Sequence, residues 1–158
     1  MYLTVHAAAG ASIGTLFNST PLAFGLAVLS HFVLDRIPHD DPPIVAGTAR
    51  DGVLHNPIFR HFVIVALFDF IVALVLVTEV IRILPQYRPA AMVAGALGGV
   101  LPDLLFGLYR LTGVKWLAAY NHFHDSMHFD IKRFPITFFV GFTIQIISLT
   151  IFLRLLFR

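Results

Sequence analysis

"NPIFRHFVIVALFDFIVALVLVTEVIRILP", Asn56 to Pro85, decides the fold class. Asn-Pro opens a helix, because asparagine caps the first free amides and proline sits where its missing N–H is not needed. Pro85 closes it, since the residue before a proline is pushed out of helical geometry. Between these marks run Phe, Val, Ile, Leu and Ala, with Asp69 the only acid before Glu79. A helix over 57–84 would be about 42 Å long at ~1.5 Å per residue. It outreaches the ~30 Å hydrocarbon core of a bilayer, so it can tilt or protrude. Asp69 lies two to three turns inside it, where a carboxylate is functional by default. It reads as a deep ligand, a partner of a histidine, or a protonated helix–helix hydrogen bond.

The rest of the chain agrees. Of 158 residues, 58% are hydrophobic and 13% charged, against about a quarter charged in soluble domains; the mean hydropathy is +0.83. The fold class is therefore all-α, a polytopic membrane helical bundle in one integral membrane domain over residues 1–158. There is no cysteine, which excludes disulfides and thiolate metal sites. A net charge of +2 is too small and scattered to suggest nucleic acid as a partner. No Lys or Arg precedes Arg36, so residues 1–20 lack the basic start of a signal peptide and read as retained.

Apolar runs and prolines predict five transmembrane segments, at about 2–17, 21–37, 57–84, 89–111 and 134–157. Thr20 reads as a cap before Pro21, and Pro38 ends the second helix. The first two segments form a short hairpin near the lower limit for crossing. Gly98, Gly99 and Pro102 predict a bend in the fourth. Glycines and alanines in segments one, two and four allow close helix contacts. With five crossings, Arg36, Arg50, Arg60, Arg110, Lys115, Lys132 and Arg133 lie on the face that holds the N-terminus. Arg82, Arg88, Arg154 and Arg158 lie on the other. Seven against four predicts a cytoplasmic N-terminus, in the plasma (inner) membrane.

The histidines sort more cleanly. All eight fall at or near that same face: His6, His31, His39, His55, His61, His122, His124 and His128. Seven of the nine acids join them, leaving Asp69 and Glu79. The helices were placed without reference to the histidines, so their convergence points to one polar crater, catalytic or metal-binding.

Its walls come from separate stretches. In "SHFVLDRIPHDDPP", Ser30 to Pro43, His31 and Asp35 are four apart and share a helix face. His39 continues that stripe just past the helix end, while Asp40 and Asp41 read as a solvated terminus. In "NHFHDSMHF", Asn121 to Phe129, His124 and His128 read as ligands if the segment is helical. His122 or Asp125 is then the general base or a supporting partner. Asp103, behind Pro102 in "GGVLPDLLFG", reads either as a ligand or as a locally bonded residue of a kinked helix. His6 sits among small residues near the start of helix one. His55 and His61 flank the start of helix three and read equally as site or headgroup residues. Arg36, Arg60 or Lys132 could hold a substrate headgroup. Imidazole and carboxylate donors suit Zn²⁺ best here, with Mn²⁺ or Fe²⁺ as alternatives.

Several membrane-enzyme signatures are absent: HExxH, GxGD, a GxS with a histidine partner, and PSGH. "GTARDG", Gly47 to Gly52, echoes only the start of the CDP-alcohol phosphotransferase motif. The chain instead resembles the YdjM-like membrane-bound metal-dependent hydrolases. The matching elements are His6, Leu101-Pro102-Asp103, His124 with His128, and His31-x3-Asp35, the last standing earlier here than in that group. The resemblance implies a small multi-helix hydrolase.

The expected function is a membrane metalloenzyme with one or two divalent ions. Its ligands are drawn from His6, His31, Asp35, His39, Asp103, His124 and His128. It would cleave an ester or phosphoester of an amphiphilic or lipid substrate at the cytoplasmic interface, with membrane lipids as its surroundings. Two alternatives stand beside it: a divalent metal or proton transporter, which needs midplane ligands and two-sided access, and a non-catalytic membrane scaffold.

Overall fold

The computed structural model describes residues 1–17, 19–39, 53–128 and 136–158. Among them there is no strand. Six α-helices follow in order: α1 Leu3–Leu16, α2 Thr20–Leu34, α3 Pro57–Ile83, α4 Pro89–Thr112, α5 Ala118–Met127 and α6 Phe138–Leu156. Asn56 caps α3 as expected, accepting from the Ile58 amide at 2.9 Å. Ser19, not Thr20, caps α2, taking the Leu22 amide at 3.4 Å and leaving Pro21 inside the first turn. α6 begins at Phe138 rather than 134, because the Thr137 side chain takes the Val140 amide. α4 runs through Pro102 and ends at Gly113, whose left-handed φ of 62° lets its amide reach the Tyr109 carbonyl. The segment before α6 also holds α5, which links α4 back toward α2.

α3, α4 and α6 are long and apolar enough to cross a membrane and mark the chain as an integral membrane protein. Their outward side chains, among them Phe68, Leu74 and Phe139, are exposed, as lipid-facing residues are. α1 and α2 hold 14 and 15 residues, only about 21–23 Å of helix.

α4 is the central helix, and small residues bring α1 and α2 against it. A methyl group on Gly10 would overlap the Gly95 carbonyl, and one on Gly14 the Ala91 carbonyl. One on Gly98 would overlap the Phe24 carbonyl, and one on Gly99 that of His6. The pairs 6–99, 10–95 and 14–91 step by four residues in opposite directions. α1 and α4 are thus antiparallel and in backbone contact, as small-xxx-small faces permit. Met92, Ala96 and Val100 then pack with Ala73, Val80 and Leu156, tying this unit to α3 and α6.

α1 starts deep inside the bundle. The first amides of a helix lack internal partners, and here other helices supply them. Gln145 of α6 accepts from the Tyr2 amide at 2.7 Å. Asp69 of α3 faces the Thr4 amide at 3.3 Å and also bonds the Thr4 hydroxyl. Of the three expected roles for Asp69, the helix–helix hydrogen bond is the one seen. Asp69 lies 12 residues into α3, and Gln145 lies 7 into α6. The α1 terminus therefore sits about 10–18 Å in from those helix ends.

Candidate metal centre

Four elements deliver the polar cluster to the level of the α1 terminus. α1 carries His6, and α2 carries His31 with Asp35 at its C-terminal cap. α4 carries Asp103, one residue past Pro102. α5 carries His124, with His128 just past its end. His6, His31, Asp35 and His124 are each 1% exposed or less. Buried polar groups of this kind must be paired.

Four ligating atoms, one each from His31, Asp35, Asp103 and His124, lie within 4.8 Å of one another. His31 Nε2 is 3.1 Å from Asp35 Oδ2, 3.3 Å from His124 Nε2 and 3.8 Å from Asp103 Oδ1. His124 Nε2 is 3.2 Å from Asp103 Oδ1. Donors held about 2.0–2.1 Å from a tetrahedral ion stand ~3.3–3.4 Å apart along each edge. Three of these separations are within a few tenths of an ångström of that spacing, and the fourth is slightly longer.

Proton positions sharpen this. His31 Nδ1 is 2.8 Å from the Gly99 carbonyl. A carbonyl only accepts, so Nδ1 donates and Nε2 is the nitrogen left to the cluster. It faces a carboxylate oxygen and a second imidazole nitrogen. Asp35 Oδ2 is also 3.1 Å from His128 Nε2. Yet it is buried without a hydrogen bond among the described residues. Acceptor atoms crowded this closely need shared protons or a cation between them. The donor set therefore fits a divalent metal, and this His/Asp group can hold one.

The remaining histidines support or extend the group. His6 Nε2 lies 3.0 Å from Asp35 Oδ1 and 3.9 Å from Asp103 Oδ2, and its ring stacks on His31 at 4.0 Å. It braces both carboxylates from outside the four-atom set. Asp35, His39 and His128 form a second possible group, so Asp35 is shared between the two. His39 Nδ1 donates to the Ile37 carbonyl at 2.6 Å, and its Nε2 is 2.8 Å from the Met1 nitrogen. That nitrogen also lies 2.8 Å from Asp35 Oδ1. Tyr120, which the sequence reading passed over, donates to the Pro102 carbonyl at 2.9 Å. Burial, and then the carboxylates of Asp103 and Asp35, push its phenol well above the usual range.

A cavity of about 410 Å³ opens beside the cluster, between α3 and α4. Its walls are apolar, among them Phe62, Ala66, Leu104 and Leu108, and Asp103, His124 and His128 stand at its inner end. Arg110 lines its outer part.

Other expected residues are not brought to this place. His122 and Asp125 lie on the exposed face of α5, and Asp125 accepts from Asn121 at 3.0 Å. Two residues are about 200° around a helix, so with His124 turned inward His122 must point away. His55, Arg60 and His61 are exposed on or before the first turns of α3. Arg36 is exposed, its Nη2 3.8 Å from the Met127 sulfur. Lys132, Asp40 and Asp41 lie outside the described residues. Arg110 was read only as a positive-inside charge, and nothing in "LLFGLYRLTG" distinguishes a cleft-lining arginine from one reaching to headgroups. No protein-family model, curated protein or solved structure matches this chain.

Proposed function

We propose that the chain is a membrane-embedded, metal-dependent hydrolase that cleaves an ester or phosphoester bond in an amphiphile. The observation that carries this is the convergence of ligating atoms of His31, His124, Asp35 and Asp103 to within 4.8 Å of one another beside an apolar cleft. Zn²⁺ is the ion these donors suit best, with Mn²⁺ or Fe²⁺ as alternatives. When bound, it supplies Lewis acidity and lowers the pKa of water toward neutrality.

The chain's own residues do the rest. The Gly99 carbonyl orients the His31 ring, and His6 bonds Asp35 with Asp103 close by. His128 touches both Asp35 and the cleft, so its Nε2 is the atom placed to take and return a proton. This role passes to His128 from His122 and Asp125. The apolar walls exclude water and admit a lipid-like chain. The four elements that resemble the YdjM-like hydrolases all contribute to this one cluster, which supports that family reading. The sequence's count of seven basic residues against four supports a cytoplasmic N-terminus in the plasma (inner) membrane, while the cluster itself lies deeper than that interface.

Metal analysis of the purified protein is the test. One or two equivalents of a divalent ion are expected, falling below ~0.2 in His124→Ala and Asp35→Asn. Hydrolysis of a lipid ester and phosphoester panel should be lost in the same variants. Protein that binds no divalent ion even after reconstitution, and tolerates His31→Ala, would instead be the scaffold. Metal uptake into liposomes without hydrolysis would make it a transporter.

A further inference from the structure

Arg110 stands two turns after Asp103 in "PDLLFGLYR". Seven residues bring a helix back to the same face, about 10 Å further along. Asp103, Phe106 and Arg110 therefore form one stripe, with Gly107 beside it. An arginine near the end of a spanning helix ordinarily snorkels to water. This one does not: it is only 6% exposed. Its guanidinium lies between two aromatic faces, 5.9 Å from the Phe59 ring centre and 5.7 Å from that of Phe106.

Aromatic faces offset part of the cost of burying a cation, but they leave its N–H groups unused. Nε and Nη2 are buried with no hydrogen-bond partner among the described residues. Asp125, the acid that acts on Arg110 through space, is exposed and bonded to Asn121. A buried guanidinium with idle donors is costly unless an anion meets it. Its planar fork suits the oxygens of a phosphate or carboxylate. Arg110 lines the apolar cleft that ends at Asp103, His124 and His128.

We propose that Arg110 is an oxyanion-binding residue of this cleft, which takes a single-chain amphiphile with a phosphate or similar anionic head. The head lies on Arg110 at the outer end, and the apolar chain lies between α3 and α4. As a substrate site this rests on the hydrolase reading; as a binding site it needs no metal. In the hydrolase the order is then anion outward and cleaved bond inward, beside Asp103. That is the order of an acyl ester beneath a phosphate head.

The test is binding of dodecyl phosphate to the EDTA-treated full chain in maltoside detergent, followed by native mass spectrometry and calorimetry. One molecule should bind per chain, far more tightly than inorganic phosphate. Arg110→Met, which keeps the stem between Phe59 and Phe106, should weaken it about tenfold to a hundredfold. Arg110→Lys should recover part of the loss. Gly107→Leu should also block binding, because a Cβ at Gly107 meets nothing within 4 Å and the new side chain fills the cleft. Thermal stability of Arg110→Met should be unchanged or raised, which separates lost binding from lost folding. If Arg110→Met fails to fold, Gly107→Leu carries the test alone. Undiminished binding in Gly107→Leu or in folded Arg110→Met overturns the proposal, as does inorganic phosphate binding as tightly as dodecyl phosphate. Intact binding in a wild type that never takes up metal would sink the hydrolase reading and leave Arg110 standing.

Discussion

Tyr120 stands against the centre: its ring centre lies 5.9 Å from that of His124, and its hydroxyl donates to the carbonyl of Pro102, next to Asp103. Burial and the nearby carboxylates raise its phenol in the folded protein, while in the unfolded chain it returns to about 10. Below pH ~10 the phenol is neutral in both states and contributes no pH dependence. Above that, the unfolded chain ionises first, so stability falls as pH climbs from 10 toward the raised value. Tyr120→Phe should therefore lose about 1 kcal/mol at neutral pH and be less sensitive between pH 10 and 11.5. Denaturation in detergent at both pH values measures this, and an unchanged slope in the variant would refute it. At this scale the sequence was informative where a residue type was out of place. His31, Asp35, Asp103 and His124 are conspicuous because lipid-like surroundings penalise them. The i,i+4 spacing of His124 and His128 picked out His124 over His122, and His124 is the buried one; that neither His122 nor Asp125 reaches the centre was not legible, because both stand within two residues of His124. Arg110 hid because a basic residue near a helix end is common in membrane proteins whether or not it faces a cleft.

Glycine acts differently on different helices, and α1 offers the sharper contrast with α2. Alanine is favoured over glycine in a helix by about 1 kcal/mol, so two glycines should respond to substitution with opposite signs. Gly25 of α2 has open space where a Cβ would stand, and Gly25→Ala should stabilise by up to ~1 kcal/mol. Gly10 of α1 meets the Gly95 main chain, which cannot yield as a side-chain tip can. Gly10→Ala should destabilise by about 1–3 kcal/mol from overpacking. It should also weaken metal binding, because separating α1 from α4 moves His6 away from Asp103. Melting temperature and metal stoichiometry check both; stabilisation by Gly10→Ala would contradict the backbone contact. Five apolar helices could be read from composition and proline punctuation, because lipid demands long apolar runs and proline limits where they start and stop. Their ends could be placed only to a few residues. Ser19 and Thr137 act as caps through side-chain geometry that neighbouring hydroxyls imitate in sequence.

Over the whole molecule, depth decides which functions remain open. Counting along α4, Asp103 lies 14 residues from its start and 9 from its end, so the centre is near mid-length of a spanning helix rather than at its rim. That depth alone would suit a transporter. The far half of the bundle argues the other way, since α1, α2 and α4 meet there backbone to backbone at Gly10, Gly14 and Gly98. Along that seam the helices are closed by main-chain contact. The open side is the cleft between α3 and α4, whose rim residues Leu67, Leu104 and Leu108 are exposed apolar side chains at membrane depth. Reagents should therefore reach the centre sideways, from lipid. The chain has no cysteine, so a single new thiol can be followed without background. In proteoliposomes, Gly107→Cys should react with a long-chain alkyl maleimide at least about ten times faster than with a charged, water-soluble one. Dodecyl phosphate should protect it, whereas Gly25→Cys, away from the cleft, should show no protection. Equal rates with the two reagents would mean that water fills the cleft, and a polar substrate arriving from solution would then replace the amphiphile.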